Sequence, residues 1–197
     1  MKNDIILAGV GGQGILSIAA IIGYAALENG LNLKQAEVHG MSQRGGAVQS
    51  HLRVSDQTIY SDLIPGGSAQ LILSVEPMES LRYLPYLARD GWLITNRKPF
   101  INITDYPPEE ALVQEITALP HHIVVDADRI AKEVGTARAM NMVMLGAGSP
   151  LIDVPYKTLQ KGIRYLFGRK GDAVVELNLK ALEAGRTFAL KQIKQGK

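Results

Sequence analysis

Residues 1–14 read MKNDIILAGVGGQG, a short apolar run that breaks into four glycines within six residues. Apolar residues 5–8 suit a buried strand, and the glycine run suits the tight turn that follows one. Residues 13–28 then carry Ile15, Ala19, Ile22 and Ala26 near one face of a helix, stopped by Asn29 and Gly30. A second strand follows at 31–38. Strand, glycine turn, helix and strand in that order predict the start of a Rossmann-like sheet.

The glycine turn admits two readings. In the pattern GxGxxG, Gly9, Gly11, Gly12, Gln13 and Gly14 can bring backbone N–H groups to an anion at the positive end of the following helix. The same glycines can also serve only to pack helix on strand. A ribose-binding acid belongs at the end of the second strand, where Glu37 stands, but His39-Gly40 follows directly. The loop lacks the Lys-Ser/Thr ending of an ATP-hydrolysing phosphate loop.

The segment 39–46, HGMSQRGG, is too glycine-rich and polar for regular structure. Arg44 offers a planar fork to a phosphate or carboxylate, and Gly45 and Gly46 expose backbone beside it. Residues 47–54 alternate with strand period. Val48, Ser50, Leu52 and Val54 share one side, and Gln49, His51 and Arg53 share the other. Shared parity makes His51 and Arg53 candidates for the same pocket rim as His39 and Gln43.

Further along, 58–60 is expected to add a short hairpin partner. Residues 69–75 read as a central strand, 78–89 as a helix and 91–95 as a strand. A helix at 109–119, a strand at 122–125 and a helix at 126–134, capped by Asp126, continue the alternation. Helical spacing resumes at 137–147, 155–167 and 174–193. The expected fold is α/β, a three-layer, doubly wound Rossmann-like sheet, mostly parallel or mixed, with additional C-terminal helices. Residues 1–197 form a single domain, of which 137–197 is the helical part. The methionines around Asn141 read as core.

Composition sets the outer bounds. Of 197 residues, 46% are hydrophobic, and the net charge of +2 gives no reason to invoke nucleic acid. There are no cysteines, so a disulfide framework, a cysteine nucleophile and cysteine-ligated clusters are excluded in this chain. The four histidines show no metal-ligand spacing. Without a leader-like segment or a spanning apolar stretch, the expectation is a cytoplasmic protein with no membrane partner.

Taken together, GVGGQG at 9–14 and EVHGMSQRGGAVQSHLR at 37–53 resemble the gamma-type subunit or domain of the 2-oxoacid:ferredoxin oxidoreductases. The likeness continues through AQLILSVEPMESLRYLPYL at 69–87. It returns in ARAMNMVMLGA and LNLKALEAGRTFA, with Asn141, Gly146, Asn178 and Gly185 at matching places. The resemblance implies a catalytic domain of an enzyme that converts a 2-oxoacid and coenzyme A to an acyl-CoA and carbon dioxide while reducing ferredoxin. It is nearest to the indolepyruvate branch, which acts on aryl pyruvates. It implies no tightly bound cofactor on this chain. Thiamine diphosphate, magnesium and 4Fe–4S clusters are expected on an alpha subunit partner, with coenzyme A as co-substrate. Gly9, Gly11, Gly12, Gln13, Gly14, Arg44, Gly45 and Gly46 are the implied binding residues. His39, Gln43, His51 and Arg53 are rim candidates. Pyruvate, 2-oxoglutarate and branched-chain substrates, a stand-alone dinucleotide-binding protein and a non-catalytic assembly module remain as alternatives.

Overall fold

The computed structural model describes residues 1–40 and 45–195. Its side-chain description omits His39. Six strands form one mixed sheet in the order β2-β3-β1-β4-β5-β6. They are β1 Lys2–Val10, β2 Asn32–His39, β3 Ala47–Ser55, β4 Ala69–Ser74, β5 Leu87–Asn96 and β6 His122–Val125. β1, β4, β5 and β6 pair in parallel, whereas β3 runs antiparallel to both β1 and β2. The chain therefore leaves β1, forms helix α1 Ile15–Glu28 and returns to the sheet edge, and β3 fills the gap. The second strand of the Rossmann-like start is thus one position removed from the first.

The strand alternation of β3 explains its place. Val48, Leu52 and Val54 enter the larger core together with Ile5, Leu7, Leu71 and Leu73. That core is closed by α1, α4 Ala127–Val134, α5 Met140–Gly148, α6 Tyr156–Phe167 and α7 Asp172–Gln195. The other face carries a smaller core of Ile6, Ile72, Leu93 and Ile116, under α2 Pro77–Arg82 and α3 Glu109–Thr117. Helices on both faces of a mostly parallel sheet make the three layers.

Two local expectations are corrected. Residues 58–60 form no strand. The helix expected over 78–89 ends at Arg82, passes through a 3₁₀ turn at Leu84–Tyr86 and enters β5 at Leu87. Pro85 supplies the reason, because it lacks an N–H and its ring cannot continue an α-helix. Gly91 then sits where the β4–β5 register shifts, and a Cβ there would lie 2.7 Å from the Ala69 carbonyl oxygen.

The C-terminal helices are joined by a backbone-to-backbone crossing. A Cβ on Gly146 would lie 2.0 Å from the Leu182 carbonyl oxygen, and one on Gly185 would lie 1.9 Å from that of Val143. α5 and α7 therefore cross at reciprocal glycines, and Met142 and Met144 are fully buried around them. We expect Gly185→Ala to cost about 3 kcal/mol or more through overpacking, read by urea unfolding. An unchanged midpoint would contradict the crossing.

His51 gives a second test. It is buried, its ring meets Tyr86 edge-on, and its Nδ1 accepts the Ile64 N–H at 3.0 Å. Burial lowers its pKa from the ordinary value of 6.5. The unfolded chain therefore takes up the proton first as pH falls, and stability present above about 6.5 declines toward the lower, folded value. The stability gap between wild type and His51→Gln should narrow as pH falls from 8 through this window. A gap that widens would reverse the assignment.

Candidate functional site

The carboxyl ends of β1, β4 and β5 lie side by side, and the loops leaving them form one rim. After β1 the chain turns at once: the Gln13 N–H donates to the Val10 carbonyl at 3.1 Å, and the Gln13 Oε1 accepts the Val10 N–H at 2.8 Å. Gln13 is thus the staple of the turn. Gly9 is required by packing, since a Cβ there would lie 2.3 Å from Val75 Cγ2. Gly14 caps α1 with φ 83°, and its missing Cβ leaves room for the Asn141 amide, which donates to the Gly14 carbonyl at 3.2 Å.

Gly12 differs from these. It is exposed, has φ 98°, and a Cβ on it would meet nothing within 4 Å. Beside it, α1 begins with no side chain capping its first turn. A helix start of this kind presents free N–H groups and the positive end of the helix dipole. Of the two readings of the glycine run, packing accounts for Gly9 and Gly14, while Gly12 is the position open to a ligand.

The two glycine-rich motifs are zipped together. The Gly11 N–H donates to the Gly46 carbonyl at 2.8 Å, and the Gly45 N–H donates to the Gly11 carbonyl at 3.4 Å. Asn102 donates from Nδ2 to the Gly45 carbonyl at 2.6 Å, which draws the loop after β5 into the same rim. Gln43 and Arg44 lie outside the described residues, as does the side chain of His39. The backbone of His39 ends β2 close to this rim, paired with Val48.

His51 and Arg53 are corrected as rim residues. His51 is opposite Ile6 in mid-strand, and Arg53 is opposite Asp4, toward the amino end of β1 and away from the glycine loop. Arg53 binds Asp4 through Nε at 2.8 Å and Nη2 at 3.2 Å, and its Nη1 donates to the Ser61 and Leu63 carbonyls. Parity placed the two on one face of the sheet, but not at one end of it. Glu37 is likewise on the edge strand with β3 between it and β1, which removes it from the place of a ribose-binding acid.

Sequence reasoning gave no role to Glu76. Its side chain is fully buried behind the rim. Oε2 accepts the Glu79 N–H at 2.8 Å and caps α2. Oε1 accepts the Phe100 N–H at 3.2 Å and the hydroxyl of Tyr106. Burial, followed by the bond to Glu76, raises the Tyr106 pKa, so the phenol remains a donor across the ordinary pH range. Ser74 closes the arrangement by donating to the Ala8 and Glu76 carbonyls. The Glu-Pro pair directly after a central strand was the available signal, since proline at the first helical position marks a capped start. On the loop so held, Phe100, Ile101 and Ile103 stand exposed, with the Phe100 ring beside Gly45. At β6, Asp126 accepts the Arg129 N–H at 3.1 Å and caps α4, as its position predicts.

No group of three His, Cys, Asp or Glu among the described residues is placed to hold a metal ion, and the chain has no cysteine to ligate an iron–sulfur cluster. No helix among the described residues is long and apolar enough to cross a membrane.

A mixed sheet with paired glycine loops at its carboxyl edge is the geometry to set against known proteins. Residues 4–188 match the pyruvate ferredoxin/flavodoxin oxidoreductase family, and the chain belongs to it. Within that family it is a gamma/beta-type subunit closely related to IorB. It is 36% identical over 199 residues to the indolepyruvate oxidoreductase subunit IorB of Archaeoglobus fulgidus, covering 96% of each chain. It is 26% identical to the gamma subunit of a keto/oxoacid ferredoxin oxidoreductase from Geobacter sulfurreducens, with a TM-score of 0.69 over 96% of this chain and 99% of that one. The same fold occurs in the 2-oxoglutarate:ferredoxin oxidoreductase of Magnetococcus marinus, at TM-score 0.76 and 24% identity. There the match covers 96% of this chain but only 31% of the other, so the unit spans about a third of that longer chain.

Glu76→Ala removes an acceptor that three donors share. We expect a loss of roughly 3 kcal/mol of stability and faster amide exchange at Phe100. Slow exchange at Phe100 in the variant would show that the loop is held by other contacts.

Proposed function

We propose that this chain is the cluster-free subunit of a cytoplasmic indolepyruvate:ferredoxin oxidoreductase, and that its rim forms part of the coenzyme A pocket. The observation that carries the pocket is the zipped pair of loops, with Gly12 and the uncapped start of α1 open beside Gly45 and Gly46. The choice of aryl pyruvate as substrate rests on the similarity to IorB, which extends over nearly the whole of both chains.

The overall reaction takes a 2-oxoacid, coenzyme A and two oxidised ferredoxins. It yields acyl-CoA, carbon dioxide, a proton and two reduced ferredoxins. Thiamine diphosphate on the alpha subunit supplies the electron sink for decarboxylation, and that partner also supplies the magnesium and the 4Fe–4S clusters. The part of this chain is positional. Gly12 and the first N–H groups of α1 receive the pyrophosphate of coenzyme A, where backbone can approach closely and the helix end favours negative charge. Arg44, directly before Gly45 in the sequence, pairs with a second phosphate oxygen through its fork. The exposed Phe100, Ile101 and Ile103 lie against the alpha subunit and exclude water from the thioester-forming site.

The deciding experiment is reconstitution. The chain and its alpha subunit are mixed, and reduction of ferredoxin is followed with coenzyme A and a panel of indolepyruvate, phenylpyruvate, pyruvate, 2-oxoglutarate and 3-methyl-2-oxobutanoate. We expect activity only in the mixture, greatest with the aryl pyruvates. A preference for another 2-oxoacid would move the assignment to that branch, and inactivity of an intact, cofactor-loaded complex on the whole panel would end it. Within the active complex, Arg44→Ala should leave the complex mass unchanged and raise the KM for coenzyme A about tenfold or more, the worth of one charge-assisted pair. Loss of assembly instead would give Arg44 an interface role.

A further inference from the structure

A second cleft, of about 330 Å³, opens where three helices begin. Ser17 from the first turn of α1, Asn141 from that of α5 and Val174 from that of α7 all line it. Its volume is that of a small-ligand pocket. Two cations reach it from separate segments: Arg138 in the 3₁₀ turn Ala137–Ala139 and Lys170 in the turn Gly168–Lys170. Among the described residues that line it, none is acidic.

The walls divide by chemistry. Lys170 is held with its Nζ 5.4 Å from the Phe167 ring centroid. The Thr136 Oγ1 accepts the Arg138 N–H at 3.3 Å and shapes the turn that carries the guanidinium. Phe167, Val174 and Leu177 give the cleft an apolar side. α1 and α5 have no side-chain caps, so their helix dipoles add to the positive field of the two cations. A ligand with a doubly charged head and a flat apolar body matches both halves.

We propose that this cleft binds a nucleoside phosphate monoester, with its phosphate between Arg138 and Lys170 and its base against Phe167, Val174 and Leu177. Neither cation belongs to the motifs assigned to coenzyme A above. The cleft nevertheless meets the glycine loop through Asn141, which lines it and donates to the Gly14 carbonyl at 3.2 Å. Occupancy therefore reaches the start of α1.

The test uses the full ¹⁵N-labelled chain, titrated with AMP and, separately, with inorganic phosphate. AMP should give saturable shifts at the Ser17, Arg138, Asn141 and Lys170 amides. The double variant R138E/K170E should weaken that binding about tenfold or more, since it removes two charge-assisted contacts. Both side chains are exposed, and an unchanged Tm confirms that the variant folds. Coenzyme A and dephospho-coenzyme A separate two sources of the same chemistry. Cleft shifts from coenzyme A, absent with its dephospho form, assign the monoester to the co-substrate, whereas shifts from AMP with none from coenzyme A assign it to a free mononucleotide. The proposal is overturned by shifts confined to Gly12 and Gly45, by equal affinity in wild type and double variant, by inorganic phosphate binding as tightly as AMP, or by no saturable shift with any of these. Shifts at Gly12 and Gly45 alone would leave the coenzyme A reading standing, so the two can fail separately.

Discussion

A buried carboxylate is tolerated only when donors replace the water it has lost, and Glu76 is the point at which this fold meets that condition. Three donors reach it from two different segments, the start of α2 and the loop after β5. Ser74 ties the neighbouring backbone to β1. The loop that carries Phe100, Ile101 and Asn102 is therefore fixed to the sheet by charge-assisted bonds, and Asn102 passes that constraint to Gly45. The anchor is itself buried, so water does not compete for its donors.

The same rim is held from below by the C-terminal helices. α5 can come close to α7 only because Gly146 and Gly185 present bare backbone to one another. That crossing places Asn141 at the start of α5, where its amide takes the Gly14 carbonyl and fills the space a Cβ on Gly14 would occupy. The four positions that the sequence resemblance singled out thus have separate physical tasks. Gly146 and Gly185 permit the crossing, Asn141 seats the glycine loop, and Asn178 bonds back to the Val174 carbonyl beside the second cleft.

The expectation for His51 and Arg53 failed in an instructive way. Period-two alternation correctly set them on the same face of β3, where Asp4 and Ile6 face them. It carried no information about distance along the strand from the loop, nor about which strand lies next door. Asp4 and Ile64 compete for these two side chains, and both partners are remote in sequence. For Glu37, whose ribose-binding role the following His39-Gly40 already spoke against, the structure adds a reason of the same kind, since its distance from β1 depends on where β3 inserts.

By itself, the sequence determined most of the element types, the glycine turn, the capping of α4 by Asp126 and the family pattern. These rest on contacts between residues a few positions apart, where propensity and periodicity act. Only the tertiary structure decided that β3 separates β1 from β2, that Gly12 is the open glycine while Gly9 and Gly14 pack, and that Glu76 anchors the rim. Each of those depends on which distant backbone groups compete for the same space or the same acceptor, and that competition exists only once the chain is folded.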